Sequence, residues 1–171
     1  MIHDFITEQP EKEINVDRKL SPKLLENVLI LKECSLFCNV NTSELRAVSE
    51  IAEEVFFDKG QCVIKEGEKG NSLYLIKSGQ VQIFQKSIKT GELLKKEKLY
   101  SGECFGEMAV IDEEIRTKTA VSMGDSIMLR INRDDLYNTI QLYPSIGIEL
   151  FCKIVKMIYR EKQYLEKLID G

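Results

Sequence analysis

The middle of the chain consists of short apolar and β-branched runs that are separated by glycines. Eight of the ten glycines lie between Gly60 and Gly124, and none precedes Gly60. Glycine supplies the positive φ angles that tight turns require. Short runs at regular spacing with turn signals between them predict a β-sandwich, barrel or roll. The predicted strands are residues 62–64, 73–76, 81–84, 93–100, 117–121 and 127–131.

The segment before the strands carries helical signals. Residues 1–20 are polar and aperiodic, which is typical of a loose N-terminal arm. Ser21 followed by Pro22 predicts a helix start, and residues 41–44 resemble a capping box. After this box an apolar face recurs at helical spacing, which predicts a helix that includes Val55. The members of this face are Leu45, Val48, Ala52 and Val55.

Two more helices are predicted after the strands. Asn132 can cap a short one, and a last helix is expected to begin at Pro144 and to run to Ile169. Glu161 and Lys162 interrupt its apolar stripe, so a long uninterrupted coiled coil is not expected. The stripe consists of Phe151, Ile154, Val155, Ile158, Leu165 and Leu168.

The composition is that of an ordinary globular protein, with 171 residues, 43% of them hydrophobic and 30% charged. A net charge of −4 argues against a nucleic-acid surface. The single histidine, His3, cannot build a three-histidine metal site, which disfavours a β-barrel metalloenzyme of the cupin kind. The chain ends soon after its last helix, so direct DNA binding through an added helix-turn-helix is not expected unless this chain is a fragment.

The five cysteines indicate a reducing compartment. Their number is odd and no C-x-x-C spacing occurs, so we expect reduced, mostly buried thiols and no metal site. The N-terminus lacks the pattern of a secretory signal, and the longest aliphatic run, residues 28–31, is far too short to span a membrane. These features predict a cytoplasmic protein. The cysteines are Cys34, Cys38, Cys62, Cys104 and Cys152.

The most informative chemistry lies in residues 105–109, Phe-Gly-Glu-Met-Ala, and in Arg116, which follows them. A helical turn after Gly106 would present free N–H groups, which suit a phosphate. The Arg116 guanidinium could pair with that phosphate in a bidentate manner. The Glu107 carboxylate could accept hydrogen bonds from sugar hydroxyls. The alternative is that Glu107 and Arg116 form an ordinary surface ion pair, which would contribute little.

Together with its surroundings, this stretch resembles the cyclic-nucleotide-binding domain family, from about Leu31 to about Ile158. The resemblance implies an eight-stranded antiparallel β-roll of the jelly-roll (double-stranded β-helix) type, mainly β, with N-terminal helices and a C-terminal lid or dimer helix. The domain would span residues 21–158, and residues 159–171 would end the last helix. The motifs that carry the resemblance are residues 36–37, Phe57 with Gly60, 66–70, 73–76, 79–81, 102–109, Arg116 and 132–136.

The same resemblance implies roles for individual residues. Glu107 would bind the ribose 2′-hydroxyl and Arg116 the cyclic phosphate, while Thr117 and the backbone around the glycine would line the phosphate. The last helix would close over the base and is also a candidate homodimer contact. The implied ligand-binding set is Gly106, Glu107, Met108, Ala109, Arg116 and Thr117, and the candidate lid residues are Lys156, Tyr159 and Arg160.

Two positions depart from the family pattern. Ile115 stands where proline usually precedes the arginine, and Lys118 stands where a small residue is usual. Strand alternation would turn Lys118 to the face opposite Thr117 and away from the pocket. If it faces the pocket, its ammonium would add a phosphate contact or crowd the site. Thr117 does not decide between cAMP and cGMP.

Four other features have simpler interpretations. Tyr74 is expected to pack against the roll and Met108 to lie in the core. Residues 66–69 are read as a hairpin loop, and residues 112–114 as an acidic loop that has no metal-ligand spacing.

The sequence thus predicts a non-catalytic sensor that binds cAMP or cGMP without a metal or cofactor and signals to an unidentified protein effector by moving its last helix. The alternative is a domain that has kept the fold but lost the ligand and serves as an interaction or structural module.

Overall fold

The computed structural model describes residues 21–111 and 115–169. The predicted N-terminal arm, residues 1–20, and the predicted acidic loop, residues 112–114, lie outside this description. Within it the chain forms five helices and eight strands. The helices are α1 (Pro22–Glu33), α2 (Thr42–Ile51), α3 (Met108–Ile111), α4 (Arg133–Leu142) and α5 (Pro144–Ile169). The strands are β1 (Glu53–Phe57), β2 (Cys62–Ile64), β3 (Ser72–Ser78), β4 (Val81–Lys86), β5 (Leu93–Leu99), β6 (Cys104–Phe105), β7 (Thr119–Ser122) and β8 (Ser126–Asn132).

The strands form two four-stranded sheets in the order β1-β8-β3-β6 and β2-β7-β4-β5. Every pair of neighbouring strands is antiparallel. Helices precede and follow the sheets in the chain, so the predicted fold class is confirmed for the described residues.

The helix starts lie where the capping residues predict them. The Ser21 side chain accepts a hydrogen bond from the Leu24 N–H at 3.2 Å. Asn41 Oδ1 accepts one from the Glu44 N–H at 2.9 Å, and Asn132 caps α4 in the same way. These side chains satisfy N–H groups that the first helical turn leaves without backbone partners.

The prediction that one helix includes Val55 is wrong. Helix α2 ends at Ile51, and Val55 lies in β1 opposite Met128 of β8. Residues 55–57 are Val-Phe-Phe, which favour strands, and pairing with β8 satisfies their backbone. An apolar residue three positions after Ala52 fits a helical face and a strand equally well. The short strand β6 was not predicted at all.

Two apolar clusters divide the core. One packs the helices against β3 and β8 and includes Leu31, Leu45 and Leu136. The other fills the space between the two sheets and includes Tyr74, whose ring stacks on Phe105 with centroids 5.5 Å apart. Tyr74 therefore packs inside the roll, as predicted. Alternate residues of β3 belong to the two clusters, because successive side chains of a strand point to opposite faces of its sheet.

The expectation that the cysteines are mostly buried is wrong. Cys34 is buried, Cys38 and Cys104 are half-buried, and the other two are exposed. Cys62 begins the edge strand β2 and Cys152 lies on the outer face of α5, where neither meets the core. Across residues 21–111 and 115–169, no helix combines the length and the apolar character that crossing a bilayer would require.

Candidate functional site

A cavity of about 500 Å³ opens beside β6 and α3. Its walls come from both sheets, from residues 105–109 and 115–118, and from α5. This volume falls within the range of roughly 300–1,000 Å³ that small-molecule sites occupy. The cavity brings together all six residues of the implied ligand-binding set, which are Gly106, Glu107, Met108, Ala109, Arg116 and Thr117.

Arg116 is buried in the cavity wall, with only 8% of its surface exposed. Its Nη1 donates to the Gly106 carbonyl oxygen at 3.0 Å, and its Nη2 donates to the Ser72 carbonyl oxygen at 2.7 Å. Within the described part of the chain, no carboxylate forms an ion pair with it. The surface ion pair between Glu107 and Arg116 is therefore not formed.

Burial lowers the pKa of the Arg116 guanidinium, and the nearby Tyr74 and Glu107 oppose that shift. Arginine remains charged at neutral pH because the ordinary pKa of its guanidinium lies far above neutrality. Two of its five N–H donors are used by the two carbonyl oxygens. The site therefore holds a positive charge whose remaining donors have no protein partner among the described residues.

The loop at residues 66–70 holds the backbone of Arg116. The Arg116 N–H donates to the Glu68 carbonyl oxygen at 2.7 Å, and the Gly67 N–H donates to the Arg116 carbonyl oxygen at 2.9 Å. A bridge between Lys69 and Ile115 extends this pairing. The sequence pattern of residues 66–69 predicts only a hairpin loop, because residues that lie about 50 positions apart carry no pairing signal.

Two glycines make room for the guanidinium. A Cβ on Gly70 would lie 2.1 Å from Arg116 Nε, and a Cβ on Gly106 would lie 2.6 Å from Arg116 Nη1. Gly106 also has a φ of +79°, which favours glycine on conformational grounds. Gly70 has no such positive φ, so its role becomes visible only once Arg116 is placed in space.

The turn after β6 presents Glu107 and Met108 to the cavity. The Ala109 N–H donates to the Gly106 carbonyl oxygen and the Val110 N–H to that of Glu107, which closes the turn. The Glu107 side chain is half-buried, and its carboxylate accepts no hydrogen bond from another described residue. The prediction that Met108 lies in the core is wrong, because it is 43% exposed. The turn directs Ala109 and Val110 inward instead.

Lys118 does not turn away from the cavity. Residues 117 and 118 precede β7, which begins at Thr119, so strand alternation does not apply to them. Both line the cavity, and the Lys118 ammonium lies 3.5 Å from the Glu97 carboxylate. Ile115, at the usual proline position, is 57% exposed.

The candidate lid residues Lys156, Tyr159 and Arg160 are exposed on α5 and do not line the cavity. The helix directs Ile154, Met157 and Ile158 there instead. Positions i, i+3 and i+4 share one face of a helix. The lid role of Lys156, Tyr159 and Arg160 stays a prediction, and of the predicted apolar stripe Ile154 and Ile158 reach the cavity.

Comparison with known proteins gives the class of this domain. Residues 54–143, more than half of the chain, match the family model described as the cyclic nucleotide-binding domain. The chain therefore belongs to the cyclic nucleotide-binding domain family. Domains of this family are regulatory and typically non-catalytic.

Relatives include two kinds of regulated protein. The chain is 29% identical over 105 residues to the cGMP-dependent protein kinase egl-4 of Caenorhabditis elegans, covering 61% of this chain and 14% of the kinase. It is 29% identical over 140 residues to the CRP-like cAMP-activated global transcriptional regulator of Mycobacterium tuberculosis, covering 82% of this chain and 62% of the regulator. The chain thus spans less than two thirds of either relative.

Solved structures share the architecture. The catabolite activator protein of Thermus thermophilus superposes with a TM-score of 0.72 at 26% identity, over 78% of this chain and 62% of that one. The regulatory domain of Toxoplasma gondii PKA, solved with cAMP, gives a TM-score of 0.65 at 24% identity, over 71% of this chain and 46% of that one. The second likeness shows the fold alone.

Proposed function

We propose that this chain is a sensor that binds a 3′,5′-cyclic nucleotide in the cavity beside β6. The Arg116 guanidinium binds the cyclic phosphate, and Glu107 accepts hydrogen bonds from the ribose hydroxyl. Thr117 and the backbone of residues 106–109 line the phosphate. The observation that carries the proposal is the buried Arg116, which is held by two carbonyl oxygens at the wall of a ligand-sized cavity.

A buried charge is costly unless an opposite charge accompanies it. The two carbonyl oxygens fix the guanidinium in place but leave its charge uncompensated. A cyclic phosphodiester carries a single negative charge and oxygen acceptors, which match the free donors of Arg116. The half-buried Glu107 would repel a phosphate, so it suits the neutral hydroxyls of the sugar.

The alternative is a domain that has kept the fold but lost the ligand. In such a domain the Lys118 ammonium would occupy the phosphate site. Lys118 instead lies beside Glu97, while Arg116 bonds to Gly106 and Ser72. This arrangement favours the sensor over the degenerate domain.

Signalling would use α5, which lines the cavity through Ile154, Met157 and Ile158. A nucleotide can move this helix only if it binds two positions of the helix with different affinities. The resulting change would be read by a protein effector, because domains of this family are typically non-catalytic.

The proposed function is tested by isothermal titration of the purified chain with cAMP and, separately, with cGMP. We expect saturable binding of one nucleotide per chain, and the ratio of the two dissociation constants gives the base preference. If neither nucleotide binds at millimolar concentration, the sensor function is wrong and the degenerate alternative holds.

We further propose that the outer face of α5 forms a homodimer. Ile148, Phe151 and Val155 lie at heptad-like spacing, and Phe151 is 69% exposed. Sedimentation velocity should show a dimer that Phe151→Asp dissociates, with at least a tenfold rise in the dimer dissociation constant. Leu142→Asp, which introduces the same charge at an exposed leucine of α4, serves as the control. A monomeric wild-type chain at about 100 μM would contradict the proposal, since stable dimers assemble well below that concentration.

A further inference from the structure

The hairpin formed by β4 and β5 concentrates positive charge in a chain that is acidic as a whole. Residues 86–98 contain five lysines and two glutamates, whereas the net charge of the chain is −4. All five lysines are exposed, and none of them forms an ion pair with another described residue. Their charges are therefore available to an anionic partner. The lysines are Lys86, Lys89, Lys95, Lys96 and Lys98.

The carboxylates near these lysines have other partners. Glu92 accepts a hydrogen bond from the Thr90 hydroxyl at 3.3 Å, and Glu97 pairs with the Lys118 ammonium at 3.5 Å. The carboxylate of Glu66 accepts a hydrogen bond from the backbone N–H of residue 86 at 2.8 Å. The five hairpin ammonium groups outnumber these three carboxylates, so the surface keeps an excess of positive charge.

Strand pairing places part of this charge on the outer face of the hairpin. Residues that lie directly opposite each other in an antiparallel pair share one face of the sheet. Lys86 lies opposite Leu93, and Lys95 lies opposite Phe84. Residues 84 and 86 alternate along β4 with Ile83, which is buried between the two sheets. The two lysines and Leu93 therefore face away from the core, on a strand pair that ends the sheet at β5.

The tip of the hairpin exposes aliphatic side chains beside the lysines. Ile88 is 104% exposed and Leu93 is 53% exposed. The turn that carries Ile88 is closed, because the Ser87 N–H donates to the Glu92 carbonyl oxygen at 2.8 Å and the Gly91 N–H donates to that of Ser87 at 2.8 Å. Lysines on an edge strand prevent pairing with another chain, but that role does not require an isoleucine in solvent. The combination of aliphatic tip and basic face indicates a binding surface.

We propose that the β4–β5 hairpin, residues 81–99, binds a membrane surface that contains anionic lipids. Such a surface attracts lysines through its charged headgroups and accepts an aliphatic side chain at the boundary between headgroups and acyl chains. Ile88 would insert at this boundary, because it projects farthest into solvent. Lys86 and Lys89 lie on either side of Ile88 in the sequence, and their long side chains would hold the ammonium groups at headgroup level.

The aliphatic tip favours a membrane over a nucleic acid as the partner of this surface. A nucleic acid would be held by the lysines alone, because single strands stack on aromatic side chains, whereas the hairpin exposes isoleucine and leucine. The two partners therefore differ in their dependence on Ile88, which makes them distinguishable by experiment.

The proposal is tested by flotation of the full chain with lipid vesicles. We expect the chain to float with vesicles of phosphatidylcholine that contain about 30% phosphatidylserine, and not with phosphatidylcholine alone. Binding should weaken as the salt concentration rises, because salt screens the attraction between exposed charges. A chain that does not bind the anionic vesicles at low salt would overturn the proposal.

The contribution of charge is measured with Lys95→Glu. We expect its affinity for the anionic vesicles to fall by about 25-fold, because each unit of charge near such a surface changes the affinity by about fivefold and a reversal changes two units. Lys59→Glu is the matched control, since Lys59 is exposed in the turn before β2, at the opposite edge of the same sheet. Equal losses in the two variants would show that net charge alone acts, and would contradict the assigned surface.

Insertion of the tip is measured with Ile88→Trp. The chain contains no tryptophan, so this variant carries a single indole whose emission shifts to the blue when it leaves water. We expect that shift on anionic vesicles, and none for Lys59→Trp as the control. Vesicles that bind Ile88→Trp without a shift in its emission would show that the tip does not insert.

The last comparison separates lipid from nucleic acid. Ile88→Ser should bind the anionic vesicles at least about tenfold more weakly, because an inserted isoleucine loses its contact with water. Leu142→Ser, which makes a similar change at an exposed leucine of α4, should bind as the wild type does. If duplex DNA binds the chain as tightly as the vesicles and Ile88→Ser leaves vesicle binding unchanged, the surface recognises polyanions in general and the membrane proposal is wrong.

Discussion

Replacing Arg116 with alanine is expected to weaken cyclic-nucleotide binding by roughly 30- to 700-fold, as measured by isothermal titration. This range corresponds to a loss of about 2–4 kcal/mol of binding free energy, the size of a lost charge-assisted contact to a phosphate. The buried guanidinium is the cation that two carbonyl oxygens hold at the cavity wall. Its removal leaves the phosphate without a counter-charge.

The control for this variant is Arg46→Ala, which makes the same change of charge on α2. Arg46 pairs with Glu50 at 3.3 Å on the helix surface, away from the cavity, so its loss should leave the affinity unchanged. Arg116→Lys should recover only part of the affinity, because an ammonium cannot present the paired, coplanar N–H donors of a guanidinium to the phosphate. Wild-type affinity in Arg116→Ala would show that the phosphate lies elsewhere.

The starts of α1, α2 and α4 were predictable because their signals are local. Ser21, Asn41 and Asn132 each accept a backbone N–H within three residues, so the sequence around each cap contains the whole interaction. The residues around Arg116 were predictable for another reason. The motif from Phe105 to Ala109 and its distance to the arginine carry the family resemblance.

Other features depend on tertiary structure and could not be predicted from the chain. Val55 fits a helical face as well as a strand, and only pairing with β8 decides between them. Strand alternation predicts that Lys118 faces away from the cavity, but β7 begins one residue after it, so alternation does not apply there. The chemistry of Lys156, Tyr159 and Arg160 makes them candidate lid residues, but only the packing of α5 shows which side chains reach the cavity.

The close approach of Gly70 to Arg116 also depends on tertiary structure. It leads to the second large effect that we expect on nucleotide affinity. Gly70→Ala should weaken nucleotide binding by about 10- to 100-fold, because a displaced guanidinium loses most of its charge-assisted contact. The added Cβ would overlap Nε at 2.1 Å and Cζ at 2.4 Å. The free energy of unfolding should fall by only about 1 kcal/mol, since the flexible end of a side chain can move aside.

Gly124→Ala is the matched control, because no atom lies within 4 Å of its added Cβ and its φ is not in the positive range. Its affinity for the nucleotide should equal that of the wild type. The double variant Gly70→Ala/Arg116→Ala supplies the stricter comparison. If Gly70 acts only by leaving space for the guanidinium, the double variant should bind within about twofold of Arg116→Ala, since coupled neighbours are not additive. A further tenfold loss in the double variant would mean that Gly70 contributes to the site independently of Arg116.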